Sequence, residues 1–364
     1  MKLAFQKDKF VSALQTVQNV IANRTTLPVL SNVLIKAHDG KVTLTTTDLD
    51  TGIRTEVEGT IEKAGSITLP AKRLFSIVRE LASNELTLEA DAKQGATIRA
   101  GSSFFRIMGL PEEDFPPFPQ SQGEKVFKME QKAFKEMLRK TAYAMSTDES
   151  RYVLNGVLLS FKDNKLTVVA TDGRRLALIE QEQEFPKANE LEVILPARAV
   201  NELQRILGEI GELVIGVAEN QTTFQVGSTF MASKLIEGNY PNYKQVIPSE
   251  TKERIAIERE VLMNAVRRVA LLSSEKSNSV KLNFAKNNLD ITANTPDVGE
   301  ARESLPINYK GKDFAIAFNP EYLSDPLKML DADEVFLDFT DELSPGVIRY
   351  QKPFLYVIMP MRTA

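Results

Sequence analysis

The sequence predicts an α+β protein with three similar domains, each carrying two helices packed on antiparallel sheets. A threonine ahead of a polar turn recurs at Thr47, Thr171 and Thr295, with a spacing of 124 residues between successive copies. Pro70 and Pro196 stand 126 residues apart, and each is followed by a helical pattern. Within each copy the hydrophobic pattern alternates between a period of two and helical spacing. A repeat of about 120 residues has the size of a whole small domain and is too long for a solenoid unit.

Two stretches rich in turn-forming residues lie where this repeat predicts domain boundaries. Residues 112–125 concentrate Pro, Gln and Gly, and residues 247–255 carry Pro, Ser and charged side chains. The chain has 364 residues, which is too long for a single core, and its 43% of hydrophobic residues is enough for several cores. We therefore expect domains over residues 1–120, 121–248 and 249–364.

Each repeat contains several short strands and two helices in the same order. Lys41 to Leu44 and Lys165 to Val168 alternate between polar and apolar side chains, which is typical of half-buried strands. One helix is predicted over about residues 130–145, and another follows Pro196. Each helix has a single apolar face, so we expect the helices to pack on one face of antiparallel sheet. The apolar face of the first of these helices consists of Phe134, Met137, Leu138, Ala142 and Met145.

Composition excludes several classes of function. The sequence has no cysteine, which rules out disulfides, zinc ribbons and thiol chemistry and fits a reducing cytoplasm. No apolar run reaches the length that crosses a bilayer, and the first residues mix Lys and Asp with apolar side chains, unlike a secretion signal. We therefore expect a cytoplasmic protein with no membrane partner.

The polar sides of the predicted helices carry basic stripes. Lys132, Lys135 and Arg139 fall at positions i, i+3 and i+7, opposite the apolar face. The helices that follow the two repeated prolines each carry a further basic pair, and the two pairs match across the repeat. These pairs are Lys72 with Arg79, and Arg198 with Arg205.

A basic helix face is most often only a solvated surface. Its recurrence at matching repeat positions, in a chain with a formal net charge of −4, favours a dedicated surface that binds phosphate. The acidic exterior elsewhere would limit nonspecific adhesion. The third repeat is weaker, because Glu321 stands where Arg198 would align, although Lys328 remains.

The sequence offers little catalytic chemistry. His38 is the single histidine and lies in a predicted turn, with no cysteine or second histidine as a partner. No Walker loop, nucleotide-binding glycine pattern, serine elbow or zinc-ligand spacing occurs, so we expect no catalytic site, cofactor or metal. Two other classes stay open: a metal-assisted hydrolase that uses Asp48 and Asp172, and a scaffold or adhesion protein that does not bind nucleic acid. Asx turns explain such aspartates more often than metal sites do.

Six segments spread over the chain carry a family resemblance. They are "MKLAFQKDKFVSAL", "RTTLPVLSNVLI", "RYVLNGVLL", "VVATDGRRLAL", "IEGNYPNY" and "YVIMPMR". Together they resemble the bacterial DNA sliding clamps, the beta subunits of the DNA polymerase III holoenzyme, from end to end. In this family two three-domain subunits join head to tail into a homodimeric ring. The resemblance implies a non-catalytic processivity factor that encircles double-stranded DNA without sequence specificity, with helices around the hole and sheets outside.

The resemblance also implies a set of protein partners. Members of the family tether the catalytic subunit of the replicative DNA polymerase, and a separate clamp-loader ATPase places them on DNA. Other polymerases, mismatch-repair proteins and ligase-type proteins bind through short clamp-binding peptides. These peptides dock in a groove between the second and third domains.

The resemblance assigns the groove residue by residue. The turn would need Gly173 for its tight backbone, the methionines would form adaptable walls, and the arginines would bracket the pocket and hydrogen-bond the peptide. Arg174 departs from the family, where histidine is frequent, and Gln245 stands where a basic residue sometimes occurs. The implied apolar anchor pocket consists of Leu154, Leu176, Val357 and Ile358. The other implied groove residues are Arg151, Thr171, Arg175, Pro241, Val246, Asn319, Tyr322, Met359, Pro360, Met361 and Arg362.

Two further surfaces follow from the resemblance. The residues implied to face DNA are Arg24, Lys72, Arg79, Lys132, Lys135, Arg139, Tyr152, Arg198 and Arg205. The residues implied to close the ring are Phe105 and Ile107 on one side, Leu271 and Leu272 on the other, and the flanking charges Arg73, Glu300 and Glu303. The apolar residues would form the core of the dimer interface, and the charges at its rim would fix its orientation.

Overall fold

The computed structural model describes residues 1–21, 27–119, 124–273, 278–296, 299–350 and 353–362. The chain forms two compact units. Residues 1–135 together with 198–235 form the first unit, and residues 136–197 together with 236–364 form the second. None of the helices in the described ranges has the length and apolar character needed to span a bilayer.

Two α-helices lie in each repeat of the described chain, as predicted. They are α1 (Lys7–Gln18), α2 (Ala71–Glu80), α3 (Gln131–Thr141), α4 (Ala197–Ile206), α5 (Arg259–Val269) and α6 (Pro320–Met329). Phe10, Ala13, Leu14 and Val17 recur every three or four residues in α1 and form one buried face. α1 packs beside α2, and α5 packs beside α6.

The strands follow the same order in each repeat. The first repeat contains β1 (Lys2–Gln6), β2 (Asn32–His38), β3 (Lys41–Thr47), β4 (Thr51–Val57), β5 (Thr60–Lys63), β6 (Gly65–Pro70), β7 (Glu85–Ala90), β8 (Gly95–Ala100) and β9 (Ser103–Met108). The second contains β10 (Lys125–Glu130), β11 (Gly156–Lys162), β12 (Lys165–Thr171), β13 (Arg175–Glu182), β14 (Leu191–Pro196), β15 (Glu212–Val217), β16 (Gln221–Val226) and β17 (Thr229–Lys234). The third contains β18 (Glu253–Glu258), β19 (Val280–Ala285), β20 (Asn288–Thr295), β21 (Gly299–Pro306), β22 (Phe314–Phe318), β23 (Glu334–Phe339), β24 (Gly346–Arg349) and β25 (Phe354–Ile358). Short 3-10 helices cover Pro28–Ser31, Glu112–Asp114, Ala142–Ala144, Glu149–Leu154, Lys187–Asn189, Tyr243–Val246 and Ala270–Leu272.

Consecutive repeats share antiparallel sheets. The strand orders are β5-β1-β7-β8-β9, β10-β15-β16-β17-β4-β3-β2-β6, β14-β11-β12-β13-β25-β24-β23-β18 and β21-β20-β19-β22. At the first junction between repeats β17 pairs with β4, and at the second junction β25 pairs with β13. Because the sheets continue across these junctions, the two compact units divide the second repeat between them. The limits of the three domains therefore stay a prediction.

The threonine-aspartate turns of the first two repeats have the same hydrogen bonds. In each turn the threonine hydroxyl donates to the backbone carbonyl four residues further on, at 3.1 Å and 2.6 Å. Asp48 Oδ1 accepts the backbone N–H groups two and three residues further on, at 3.0 and 2.7 Å, and Asp172 Oδ1 does so at 2.8 and 3.1 Å. The third turn position has a φ of 83° at Leu49 and 85° at Gly173. Gly173 adopts this left-handed conformation without the strain that Leu49 carries.

Candidate functional site

The second junction carries an apolar cluster on one face of its sheet. Leu176 of β13 lies opposite Val357 of β25, and both side chains are buried. Leu178 shares their face, because alternate residues of a strand point the same way. The other buried members of this second-junction cluster are Leu158, Val169, Ile194, Val347 and Leu355. Leu176 and Val357, both predicted to line an anchor pocket, therefore do share one apolar site.

The other two residues predicted for the anchor pocket are also buried. Leu154 is buried at the end of the 3-10 helix Glu149–Leu154, and its neighbour Val153 packs on the second-junction cluster. Ile358 is buried on the opposite face of β25 from Val357. A Cβ atom added at Gly346 would lie 3.4 Å from Ile358 and 2.9 Å from Phe318. Ile358 therefore belongs to a different part of the core from the cluster.

The residues after β25 continue along the turn that precedes β13. The Met359 N–H donates to the carbonyl oxygen of Arg174 at 2.9 Å, and the Met361 N–H donates to that of Ala317 at 2.7 Å. Both methionine side chains are exposed. Flexible apolar side chains held beside a buried apolar cluster are suited to contact a peptide. The same segment contains the predicted groove residues Pro360 and Arg362.

The segment that leads into the third repeat covers part of the cluster. Pro241 and Val246, both predicted for the groove, are exposed in this segment. Tyr240, Tyr243 and Ile247 were not predicted, and they pack directly on the cluster. Burial raises the pKa of the Tyr240 hydroxyl, which therefore stays neutral. The aromatic residues of "NYPNY" repeat those of "FPPFP" in the preceding linker, and this signal could have identified them.

Arg175 forms ion pairs and hydrogen bonds inside the chain, which differs from its expected role in binding a peptide. Its side chain is 10% exposed. Its guanidinium donates to Asp172 Oδ2 at 3.0 Å, to Asp325 Oδ2 at 2.6 Å and to the Tyr143 carbonyl oxygen at 2.6 Å. Burial lowers the pKa of Arg175, but the neighbouring Tyr356, Asp325 and Asp172 outweigh it and raise the pKa above its ordinary value. Arg175 therefore ties β13 to α6 through permanent charge.

The start of α6 lies beside Arg175. Asn319 caps the helix, because its Oδ1 accepts the Glu321 N–H at 2.8 Å. The Tyr322 ring lies 4.4 Å from the guanidinium carbon of Arg175, within the range of a cation–π contact. Asn319 and Tyr322, both predicted for the groove, are thus brought to the turn that contains Arg175.

Arg174 and Arg151 present exposed side chains at the same turn. In the part of the chain that the structure describes, the Arg174 side chain has no hydrogen bond or ion pair. Arg151 Nη1 donates to the Asp172 carbonyl oxygen at 3.1 Å. A Cβ atom added at Gly173 would lie 3.1 Å from Arg151 Nη1, so glycine suits both the backbone and this contact. Arg174 is therefore the arginine of this turn that is available to a peptide.

In the basic stripe of α3, Lys132 is exposed and Lys135 and Arg139 are half-buried, and all three cations have carboxylate partners. Lys132 Nζ and Lys135 Nζ lie 3.8 and 2.9 Å from the carboxylate of Glu209. Arg139 pairs with Asp331. The sequence did not predict these pairs, because Glu209 and Asp331 are far from α3 in sequence.

The basic pair on α4 is held by acidic residues that are themselves buried. Arg198 Nη1 lies 2.7 Å from Asp48 Oδ2, and its Nη2 donates to the Val20 carbonyl oxygen at 2.6 Å. Arg205 Nη1 lies 2.7 Å from Glu202 Oε1. Burial raises the pKa of the Glu202 carboxyl, and the two nearby arginines oppose this effect.

The remaining residues implied to face DNA lie on α2, in a 3-10 helix and outside the described residues. Arg79 Nε lies 3.1 Å from the carboxylate of Glu80, and Lys72 is exposed on the same helix, α2. Tyr152 is exposed in the 3-10 helix Glu149–Leu154. Arg24 lies outside the described residues.

Strand β9 forms one edge of its sheet and carries exposed apolar side chains. Phe105 is exposed, as its predicted role in a dimer interface requires. Ile107 differs from the expectation, because it is 7% exposed and belongs to the core of its own subunit. Phe104 and Met108 are exposed on the same strand and were not predicted.

Strand β21 forms an edge of another sheet. Leu271, in the 3-10 helix Ala270–Leu272, is 77% exposed. The carbonyl oxygen of Leu272 accepts the Thr295 hydroxyl at 2.9 Å, which ties this short helix to the strand before β21. Glu303 accepts two hydrogen bonds from Arg268, at 2.5 and 2.8 Å, and is less available to a partner than predicted. Glu300 on β21 and Arg73 on α2 are exposed.

The two aspartates considered for metal chemistry are turn residues. Asp48 and Asp172 each use one carboxylate oxygen to accept backbone N–H groups and the other to pair with an arginine. Over the described ranges no group of three or more His, Asp and Glu side chains is arranged to hold a metal ion. Asp48 and Asp172 therefore have partners within the chain at both carboxylate oxygens.

Models of the three domains of one protein family match the chain along its length. The N-terminal domain of the DNA polymerase III beta subunit matches residues 1–119, the central domain matches residues 128–242, and the C-terminal domain matches residues 244–362. The chain belongs to the DNA polymerase III beta subunit family. Its membership makes the chain a DNA sliding clamp, a non-catalytic processivity subunit that works with a DNA polymerase.

Relatives and solved structures of sliding clamps cover the whole chain. The beta sliding clamp of Chlamydia muridarum is 36% identical over 362 residues, which is 100% of this chain and 99% of the relative. The beta sliding clamp of Bacillus subtilis is 32% identical over 377 residues and is fully covered. A crystal structure of a DnaN sliding clamp from Bartonella birtlesii, bound to griselimycin, superposes with a TM-score of 0.95 at 36% identity and full coverage of both chains. A crystal structure of the sliding clamp from Bacillus subtilis gives 0.95 at 30% identity, also with full coverage of both chains.

Proposed function

We propose that two copies of the chain close head to tail into a ring around double-stranded DNA. The observation that carries this proposal is the pattern of strand pairing between repeats. At each junction a late strand of one repeat pairs with an early strand of its neighbour, β17 with β4 and β25 with β13. The corresponding strands left over are β9 and β21, and each lies at the edge of a sheet. A third junction between β9 of one subunit and β21 of the partner subunit would close the ring and cover both edges.

The side chains at the two edges support such a junction. Phe104, Phe105 and Met108 leave apolar surface uncovered on β9, and Leu271 does so beside β21. An exposed apolar edge strand is prone to aggregation unless a partner covers it. Arg73 and Glu300 have opposite charges and would orient the two surfaces at the rim.

The basic helices support contact with DNA that does not depend on sequence. Lysine and arginine side chains bind phosphates without reading bases, and a closed ring needs only weak contacts of this kind. In this proposal the helices line the hole, the sheets lie outside, and the three domains have limits near residues 120 and 248.

The second-junction cluster, with the exposed methionines and Arg174, is the proposed docking site for partners. A short extended peptide with a glutamine and a downstream leucine or phenylalanine would place its apolar side chains on the cluster. The partners would be the catalytic subunit of the replicative polymerase, the clamp-loader ATPase, and the polymerases, mismatch-repair proteins and ligase-type proteins that carry such peptides. We place this activity in the cytoplasm, where DNA is replicated in bacteria.

Engineered disulfides test the third junction, because the chain has no native cysteine. Phe105→Cys is combined with Ala301→Cys, the position that the register of the first junction places opposite Phe105 of a partner subunit, and in turn with the neighbouring Glu300→Cys. Oxidation of at least one combination should give a covalent dimer that a clamp loader can no longer open. The control combines Phe105→Cys with Lys312→Cys and should give no dimer.

A second variant makes the result decisive. Leu272→Asp introduces a charge beside β21 and should convert the dimer into monomers in sedimentation experiments at micromolar concentration. Dimers that survive this change, together with no disulfide in either test combination, would contradict the proposed ring.

A further inference from the structure

Surface carboxylates lie beside the basic stripes of α2 and α3. Glu209 contacts both Lys132 and Lys135, and Asp331 contacts Arg139. On α2, Glu80 lies 3.1 Å from Arg79. Four of the cations implied to face DNA therefore already have an exposed anion of the same chain within ion-pair distance.

These pairs differ from those that hold the α4 arginines. The side chains of Glu209 and Asp331 are each 66% exposed, so water and salt reach all three of their ion pairs and each pair contributes little to stability. The carboxylates of Asp48 and Glu202 are buried, although their partners Arg198 and Arg205 are 44% and 59% exposed. The carboxylates of the α3 pairs can therefore exchange with solvent, whereas those of the α4 pairs are part of the folded interior.

We propose that Glu209 and Asp331 set the strength of the contact between the clamp and DNA. They hold the α3 cations in exchangeable ion pairs, so a phosphate must displace a carboxylate at each contact. Binding then exchanges one anion for another, and fewer counterions are released from DNA for each cation. The contact stays weak and short-lived, which lets the ring slide. This inference rests on the proposed function, in which the basic helix faces meet DNA.

The simpler reading is that the two acids only support the fold, because Glu209 links α3 to the turn after α4. The two readings differ in what happens on DNA. A purely structural pair predicts no change in DNA binding once folding is intact, whereas the proposal predicts tighter and slower contact when the carboxylates are neutralised.

The test compares two double variants that change the net charge equally. Glu209→Gln with Asp331→Asn frees Lys132, Lys135 and Arg139. The control, Glu56→Gln with Glu62→Gln, frees two lysines on strands, since Glu56 lies 2.8 Å from Lys41 and Glu62 lies 2.6 Å from Lys2. All four carboxylates are exposed and the new amides have nearly the same shape, so both variants should fold.

Two readouts are measured for the wild type and both variants. One is the diffusion coefficient of a labelled clamp loaded on linear DNA with blocked ends, and the other is the salt dependence of binding to a short duplex. We expect the helix variant to diffuse more slowly and to steepen the slope of log K against log salt by about 0.9 for each new phosphate contact. The strand variant should match the wild type in both readouts.

Equal behaviour of the two variants would overturn the inference, because net charge or nothing at all would then explain the result. Failure of the proposed function looks different. A wild-type clamp that stays on DNA after the blocks are removed from the ends would not be a ring, and the role of the carboxylates would fall with it. Slow diffusion in the helix variant, with release from unblocked ends retained, supports both proposals.

Discussion

The two junctions between repeats have matching strand registers and different side chains. At the second junction Val169, Leu176 and Leu178 form part of an apolar face. The positions that match them in register at the first junction hold Thr45, Gly52 and Arg54. The same sheet is thus built with either set of side chains. The apolar face of the second junction is therefore not a requirement of the fold, and this difference supports its proposed role in peptide binding.

The first junction is closed by its own linker. A Cβ atom added at Gly52 would lie 2.6 Å from the Phe118 ring, so Phe118 fills the space that Leu176 occupies at the second junction. The Arg54 guanidinium carbon lies 4.4 Å from the same ring. At the second junction the matching aromatic residue, Tyr243, is half-buried against the apolar cluster. The first junction is thus filled by Phe118, whereas the second has the apolar cluster on which we propose that a partner peptide docks.

The largest expected effect comes from the arginines that hold the two turns. Arg175→Ala leaves Asp172 and Asp325 as partly buried charges without their main partner. We expect it to lower the free energy of unfolding by about 3 to 5 kcal/mol, measured by urea denaturation. Arg198→Ala removes the arginine from the Asp48 turn and should cost less, because Arg198 is 44% exposed. Equal losses of unfolding free energy in the two variants would contradict the proposed role of Arg175 in tying β13 to α6.

Exchanging the residues at one matched position of the two junctions tests whether the apolar cluster of the second junction binds the peptide. Val169→Thr gives the second junction the residue of the first and places a hydroxyl in the apolar cluster. We expect a loss of about 1 to 3 kcal/mol in unfolding free energy and weaker peptide binding, measured by fluorescence anisotropy of a labelled peptide. The reciprocal Thr45→Val should leave peptide affinity unchanged. An effect of Thr45→Val on the peptide would place binding at the wrong junction.

The exposed methionines should affect binding without affecting stability. Met359→Ala and Met361→Ala each remove apolar contact area at the mouth of the groove, so peptide affinity should fall about 5- to 10-fold, which corresponds to about 1 kcal/mol. The free energy of unfolding should change by less than about 0.5 kcal/mol, since both side chains are exposed. Leu343→Ala, at an exposed turn before β24, is the matched control and should leave affinity unchanged. A loss of affinity in this control would show that the effect is nonspecific.

The smallest expected effect concerns a pair of acids at matching helix positions. Asp325 on α6 pairs with Arg175, whereas Glu202 on α4 keeps one buried carboxylate oxygen without a hydrogen-bond partner. Burial raises the pKa of Glu202, so the folded state binds this proton more tightly than the unfolded state does. Wild-type stability should therefore decline as pH rises from about 4 through the raised pKa, and Glu202→Gln should lack this component. Urea denaturation from pH 4.5 to 7 checks it, and a variant whose stability relative to the wild type falls with pH would contradict it.

The repeat and its local elements could be predicted from the sequence. The helices follow from apolar spacing, and the turns follow from the recurring threonine and aspartate, because both signals lie within a few residues. The sharing of sheets between repeats could not be predicted, since alternation shows which side chains of a strand are buried but not which strand lies beside it. Ile107, which the family resemblance placed at the dimer interface, is buried in its own subunit.

The candidate site was predicted only in outline. The family resemblance places Leu176, Val357 and the methionines at one junction, and the structure brings them together there. The ion-pair partners of the long charged side chains could not be predicted, because they lie far away in the sequence. Arg175, for example, pairs with Asp325, 150 residues further on. Its role depends on contacts that exist only after the third repeat has joined the sheet of the second.

DNA retention with topology as the only variable tests the central claim most directly. The clamp is loaded on nicked circular DNA with a compatible clamp loader and ATP, the complex is isolated in moderate salt, and the circle is then cut once. A ring predicts retention on the uncut circle and release after the cut, because the grip comes from encirclement and the phosphate contacts are weak. Equal retention on circular and linear DNA after successful loading would mean ordinary surface binding and would contradict the ring.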